Sequence, residues 1–392
     1  MKVKRATLAA ASLLSCLAAA LDGCSSSSST TIIYVNTLDA AATDGTALGP
    51  SDAASTDAGA QVDGATKKDA GPVAIPACVG KAAAADHSSG LLYANVTVGA
   101  APSAQPADFL VDFGSTLSTI DLGAFKTPPA SSCDAGTGQV CSFADFDFFG
   151  SWGQVTFYSE SYAGFKGSVR QGGIVGTDFL SVHPFTLDYQ GNRIFQGSNT
   201  AFCSDAVLSA AGFAPLTTAG FYSTDVGTLK PLSTVDSAAS KSKTVPNVPT
   251  VKMSVGGVDA LAELDTGFDD AVVPLSVNVN EAYLAAIQAA SPSALTRAPA
   301  LDLQLSTCAG VNEDVAAYKV NGDVALVADD GKPARAESNA VLFVKHTPTA
   351  AKVCGGIGTW TVPAAQVGAS FYASAGAVVF DAVHARVWVP RN

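Results

Sequence analysis

Short runs in which apolar and polar positions alternate set the pattern of this chain. Leu92-Tyr93-Ala94-Asn95-Val96-Thr97-Val98 has a period of two, and so does Val251-Lys252-Met253-Ser254-Val255. That period turns one side of a run toward a core, so both predict half-buried strands, closed by Gly99 and Gly256. A helical period is scarce. Its clearest instance is Glu281–Ala290, where Tyr283, Leu284 and Ile287 share one face. Gly, Thr, Val, Ser and Phe are plentiful elsewhere after residue 72, which reads as an all-β fold with a few short helices.

The runs recur in the same order in two halves. After each alternating strand comes an apolar stretch ending in an aspartate with glycine two positions on: Phe109-Leu110-Val111-Asp112-Phe113-Gly114-Ser115, and Ala262-Glu263-Leu264-Asp265-Thr266-Gly267-Phe268. Farther along, Ile174-Val175-Gly176-Thr177-Asp178-Phe179-Leu180 is answered by Gln366-Val367-Gly368-Ala369-Ser370-Phe371-Tyr372. Phe185-Thr186-Leu187-Asp188 with Arg193-Ile194-Phe195 then matches Val378-Val379-Phe380-Asp381 with Arg386-Val387-Trp388-Val389. Asp188 and Asp381 read as turn residues of these last hairpins. Four stations in one order predict two related β lobes, at 73–229 and 250–392. A Ser-, Lys- and Pro-rich linker at 230–249 joins them, and an insertion of about 281–355 lengthens the second lobe.

The N-terminal residues read as an address. Lys2, Lys4 and Arg5 precede an apolar run over 6–20 that is too short to span a bilayer comfortably. Leu21-Asp22-Gly23-Cys24 then resembles a bacterial lipobox, which implies a signal peptide at 1–23 and lipidation of Cys24. Residues 24–72, rich in Ser, Ala, Asp and Thr, offer almost nothing to bury and predict a disordered tether. The expected location is exported and lipid-anchored, with the outer membrane favoured over the inner because Ser25 follows the cysteine, and the domain facing the periplasm or cell surface. A formal net charge of −12 argues against a nucleic-acid partner.

Eight cysteines fit that address. With Cys16 and Cys24 set aside, Cys78, Cys133, Cys141, Cys203, Cys308 and Cys354 remain, an even number suited to disulfides in an oxidising compartment. The organisation of the halves suggests Cys78–Cys203, Cys133–Cys141 and Cys308–Cys354. No pair has close zinc-ligand spacing and the four histidines are scattered, so no metal is expected. Nothing resembles a phosphate loop or a dinucleotide turn, and no cofactor is implied.

The order of strand, Asp-x-Gly turn, hairpin and apolar-apolar-Gly element resembles the pepsin-like and retroviral-type aspartic proteases, here carried on a bacterial lipoprotein. The likeness is strong at Leu264-Asp265-Thr266-Gly267 and good at Val111-Asp112-Phe113-Gly114-Ser115-Thr116. It implies a bilobal acid-protease-like fold with a central cleft, and Asp112 and Asp265 as a catalytic dyad. Gly114 and Gly267 would let backbone amides reach the carboxyls, Thr266 would bond across to the opposite lobe, and Ser115 would support Asp112. Phe113 and Phe268 depart from the pattern, since neither offers a hydroxyl. A flap is expected within 146–158, with Phe149, Gly150 and Trp152 near its tip.

The chemistry follows from electrostatics. Two adjacent carboxyls cannot both ionise cheaply, so a pair holds one proton between them and can serve as acid and base at once. Two functions stay open. One is an exported aspartic endopeptidase, a monomer acting on polypeptides and touching membrane only through its lipid anchor. The other is an inactive protease-fold lipoprotein that binds peptides or serves as a surface structural protein.

Overall fold

A computed structural model of the chain describes residues 73–88, 90–134, 140–162, 168–218, 248–268, 273, 275–306, 312–346, 357 and 362–392. The repeat is carried by its strand pairing. In the first half Leu91–Val98 lies antiparallel to Gln105–Val111, which runs parallel to Gln171–Val175. In the second, Thr250–Val255 lies antiparallel to Val258–Leu264, which runs parallel to Ala364–Val367. A short helix follows each third strand, Thr177–Leu180 in one half and Ala369–Ala375 in the other. The fold is mainly β and built of two related lobes.

The lobes meet through their last hairpins. Phe185–Asp188 pairs with Arg193–Gln196, and Ala377–Asp381 with Arg386–Pro390. The two hairpins then pair with each other antiparallel, Phe185 opposite Phe380 and Leu187 opposite Val378, so the register turns about the Thr186–Val379 pair. Every residue of Phe185–Asp188 and Ala377–Asp381 is buried. Strands apolar on both faces need cover on both, and pairing across the lobes supplies neighbours that neither half has alone. Among the described residues this gives a sheet of 14 strands that takes in the terminal hairpin of the second half, and a second sheet of 10. The two lobes are therefore less separate than a simple halving of the chain implies.

The strand Lys81–Ser88 bridges two parts of the larger sheet. Its first four residues pair with Arg193–Gln196 and its last four with Leu91–Val98. Just before it, Cys78 is bonded to Cys203. Cys133 and Cys141 are bonded directly across the ladder between Ser131–Cys133 and Val140–Phe143. The expected Cys308–Cys354 pair, the signal peptide at 1–23, Cys24, the tether to 72 and all but the end of the 230–249 linker lie outside the described residues.

Glu281–Ala290 is a helix, as its period predicts. Asn280 caps it by accepting from the Tyr283 N–H at 2.9 Å, and the Tyr283 hydroxyl donates to the Val258 carbonyl. Tyr283 and Ile287 face the core. In the first lobe the core is strongly aromatic, with Phe146 and Phe157 in ring contact with each other and each with Phe109 and Phe179.

Candidate functional site

Each Asp-x-Gly turn is built in the same way. The Asp112 N–H donates to Val175 O and the Asp265 N–H to Val367 O, both at 3.0 Å. Just beyond, Thr177 N–H donates to Ser115 O and Ala369 N–H to Phe268 O, so the third strand of each lobe and the helix that follows it grip the two ends of its turn. Each aspartate also accepts from the glycine of its own turn: Gly114 N–H to Asp112 Oδ1 at 2.7 Å, and Gly267 N–H to Asp265 Oδ1 at 2.9 Å.

The turns then interlock. A Cβ on Gly114 would lie 2.2 Å from Asp265 Cγ, and one on Gly267 would lie 2.4 Å from Asp112 Cγ. Each carboxyl thus rests on the backbone of the opposite turn, in space that any side chain would fill. Gly267 N–H also reaches across to Asp112 Oδ1 at 3.2 Å. The aspartates share a hydrogen bond between their side chains.

Thr266 fastens the turns across the lobes. Its hydroxyl accepts from the Phe113 N–H at 2.9 Å and donates to the Val111 carbonyl at 2.8 Å. Phe113 gives no return bond from its side chain. Instead its ring stacks on Phe380, centroids 3.7 Å apart and 10° from parallel. Phe380 belongs to the interlobe hairpin, so an apolar contact stands where a hydroxyl was expected, and the ring is directed into the core.

Ser115 departs from its expected part. Its Oγ donates to the Leu117 carbonyl at 2.7 Å, which stabilises the loop after the turn. Among the described residues, no amide or hydroxyl donates to Asp112 Oδ2. That loop is held by Asp178, which accepts from both the N–H and the hydroxyl of Ser118. Burial pushes the Asp178 carboxyl up to about 6.

On the Asp265 side the support comes from a residue that the repeat alone does not single out. Gln366 Nε2 donates to Asp265 Oδ2 at 2.6 Å, and Asn278 Nδ2 donates to Gln366 Oε1 at 2.8 Å. Glu263, two residues before Asp265 on the same strand face, completes a buried polar group. Its readable signal was the polar residue at three inward strand positions, Glu263, Asn278 and Gln366, where the first half has Leu110 and Ile174 at two of them. Phe268 offers no hydroxyl and packs its ring against Gly368.

Burial sets the electrostatics of the pair. Asp112 is 0% exposed and Asp265 2%. Desolvation raises both carboxyls above their ordinary range. The bond between them lowers Asp112, whereas the charges of Asp112 and Glu263 drive Asp265 farther up. The pair lies buried where the two lobes meet.

The aromatic hairpin expected as a flap packs on its own lobe. Phe148 stacks on Phe185, Phe149 meets the same ring edge-on, and Trp152 sets its edge against Phe179. The Trp152 indole N–H donates to the Phe148 carbonyl. Asp145 Oδ1 collects donors from Phe146, Ser151 and Gly153 and closes the turn. Phe149 and Gly150 both adopt positive φ at the tip. Asp188, bound to Arg193 and Gly191, and Asp381, bound to His384, are turn residues.

No family model matches the chain, and no curated protein does. Among solved structures, the crystal structure of basic 7S globulin from soybean is similar over 77% of this chain and 91% of that one, at 14% identity and a TM-score of 0.36. These findings correct the resemblance drawn from the motifs. The chain is not placed among the pepsin-like or retroviral-type proteases, nor among bacterial lipoproteins, because no family or curated relative supports either. The likeness to a plant globulin is too distant to bear on activity.

Proposed function

We propose that the protein hydrolyses peptide bonds by activating water between Asp112 and Asp265. The observation that carries this reading is the interlock: each carboxyl lies on the other turn's glycine, within hydrogen-bonding reach of its partner. Asp265, faced by two other carboxyls, is the acid that protonates the carbonyl oxygen; when the diol collapses it takes that proton back, and the proton that Asp112 took from water goes to the leaving nitrogen. Asp112, held lower by the same contact and with Oδ2 accepting from no amide or hydroxyl among the described residues, is the base that takes the proton of water. Because both groups are raised, the singly protonated pair should persist to higher pH than two isolated carboxyls would allow. The substrate is an extended polypeptide and the working form a monomer. Two disulfides support an exported location.

One observation favours a second reading. The pair is almost wholly buried and Phe113 is locked on Phe380, as expected of a fold retained for peptide binding or surface structure without turnover. The full chain, incubated with an unfolded protein from acidic to neutral pH, should cut it, and Asp265→Asn should abolish the cutting. Intact substrate across that range, with a protein shown to be folded, establishes the second reading instead.

A further inference from the structure

The two halves of the dyad are held differently. Apart from the bond they share, Asp112 is held by backbone N–H groups, whereas Asp265 also receives a side-chain donor from the neighbouring strand. That donor is itself fixed. Gln366 stands opposite both Glu263 and Asn278 in the strand register, is 5% exposed, and has its carbonyl end taken by Asn278, which is 1% exposed. A carboxylate can only accept, so the amide nitrogen is the end of Gln366 that faces an ionised Asp265. The opposite lobe has Ile174 at the corresponding place, so this arrangement belongs to one half only.

We propose that Gln366, locked by Asn278, is the positioning residue of Asp265. It supplies from the strand Ala364–Val367 the outer-oxygen bond that Phe268 cannot give from the turn. The role rests on reading the aspartates as an acid–base pair. A fixed amide sets the plane of the Asp265 carboxyl, and by donating to it offsets part of the desolvation that disfavours its charge. The groups facing Asp265 are Asp112 from the other lobe, Glu263 on its own strand and Tyr372 from the helix Ala369–Ala375. Asp112 and Glu263 bring negative charge as they ionise, whereas burial keeps Tyr372 protonated with its hydroxyl on the Val367 carbonyl, and Gln366 brings the side-chain donor that opposes the two carboxyls.

The test is a titration that needs no turnover. In the full chain labelled at the aspartate carboxyl carbons, the Asp265 resonance is identified by its loss in Asp265→Asn and followed with pH. In Gln366→Met, which keeps the length and removes the donor, the titration should move upward by at least about 0.5 pH unit. Gln366→Glu restores a donor only while its own carboxyl is protonated. It should follow the unsubstituted protein at low pH and depart from it as the new acid ionises, and it carries the test alone if the methionine variant does not fold. A titration unchanged in a folded Gln366→Met, or in Gln366→Glu over the whole range, overturns the proposal. A shifted titration in a protein that cleaves nothing supports the positioning role and overturns the peptidase reading.

Discussion

Glu263 is a carboxyl that the fold keeps from water: it is 6% exposed and its Oε1 has no hydrogen-bond partner among the described residues. Burial pushes it from an ordinary 4.5 up to about 8. Between those values the folded chain holds a proton that the unfolded chain has released, so the folded state binds more protons and stability falls as pH rises. The loss is on the order of 4 kcal/mol across the window. In Glu263→Gln that contribution vanishes, and the variant should gain on the parent between about pH 5 and pH 8, read by urea unfolding at both. Equal pH slopes for the two proteins would remove Glu263 as their source. At this scale the sequence displayed the aspartates, their glycines and Thr266, because each is written in a short local motif. It did not display what Ser115 bonds or what fills the place of the missing hydroxyls. The Ser115 hydroxyl found a carbonyl two residues on, and Gln366 arrives from a strand remote in sequence. Contacts of that kind depend on register between strands, which no single segment encodes.

The turns behave as a pair of clasped elements, and the clasp tolerates no added atom on either side. Gly114→Ala would set a methyl 2.2 Å from Asp265 Cγ, a contact relieved only if the Asp265 carboxyl swings away or one turn moves off the other. The expected cost is about 1–3 kcal/mol, the usual range for overpacking, together with loss of the coupled titration of the dyad. Thermal unfolding and carboxyl titration of the variant check the two parts separately. The strands were readable where alternation was clean, as in Leu91–Val98 and Thr250–Val255, and the helix Glu281–Ala290 where apolar positions shared one face. The turn around Phe149 and Trp152 was readable from its glycines, but the runs on either side do not pair with each other: Phe146–Asp147 lies against Leu91–Val98 and Val155–Ser159 against Val140–Phe143. The packing of the turn was not readable, because the rings it meets, Phe179 and Phe185, come from a helix and a strand later in the chain.

Across the whole molecule, the sheet that joins the lobes decides how independently they can move. The repeat showed an apolar hairpin closing each half, but not that Phe185–Asp188 pairs with Ala377–Asp381 or in what register, since a contact between halves is written in neither segment. The bond between Cys78 and Cys203 spans 125 residues and ties the entering chain to the edge of this joint sheet. Replacing both cysteines with alanine should lower stability by about 2–5 kcal/mol, measured by urea unfolding, with reductant then having little further effect at this site. The same bond limits how the protein can be matured. Lys81–Ser88 is a strand of the finished sheet, paired on two sides and pinned by the bond just ahead of it. A zymogen needs a leading segment that can depart after one cut, and this segment is part of the scaffold. Any maturation by cutting must therefore stop short of Cys78, because release of a segment that includes Lys81–Ser88 would dismantle the sheet.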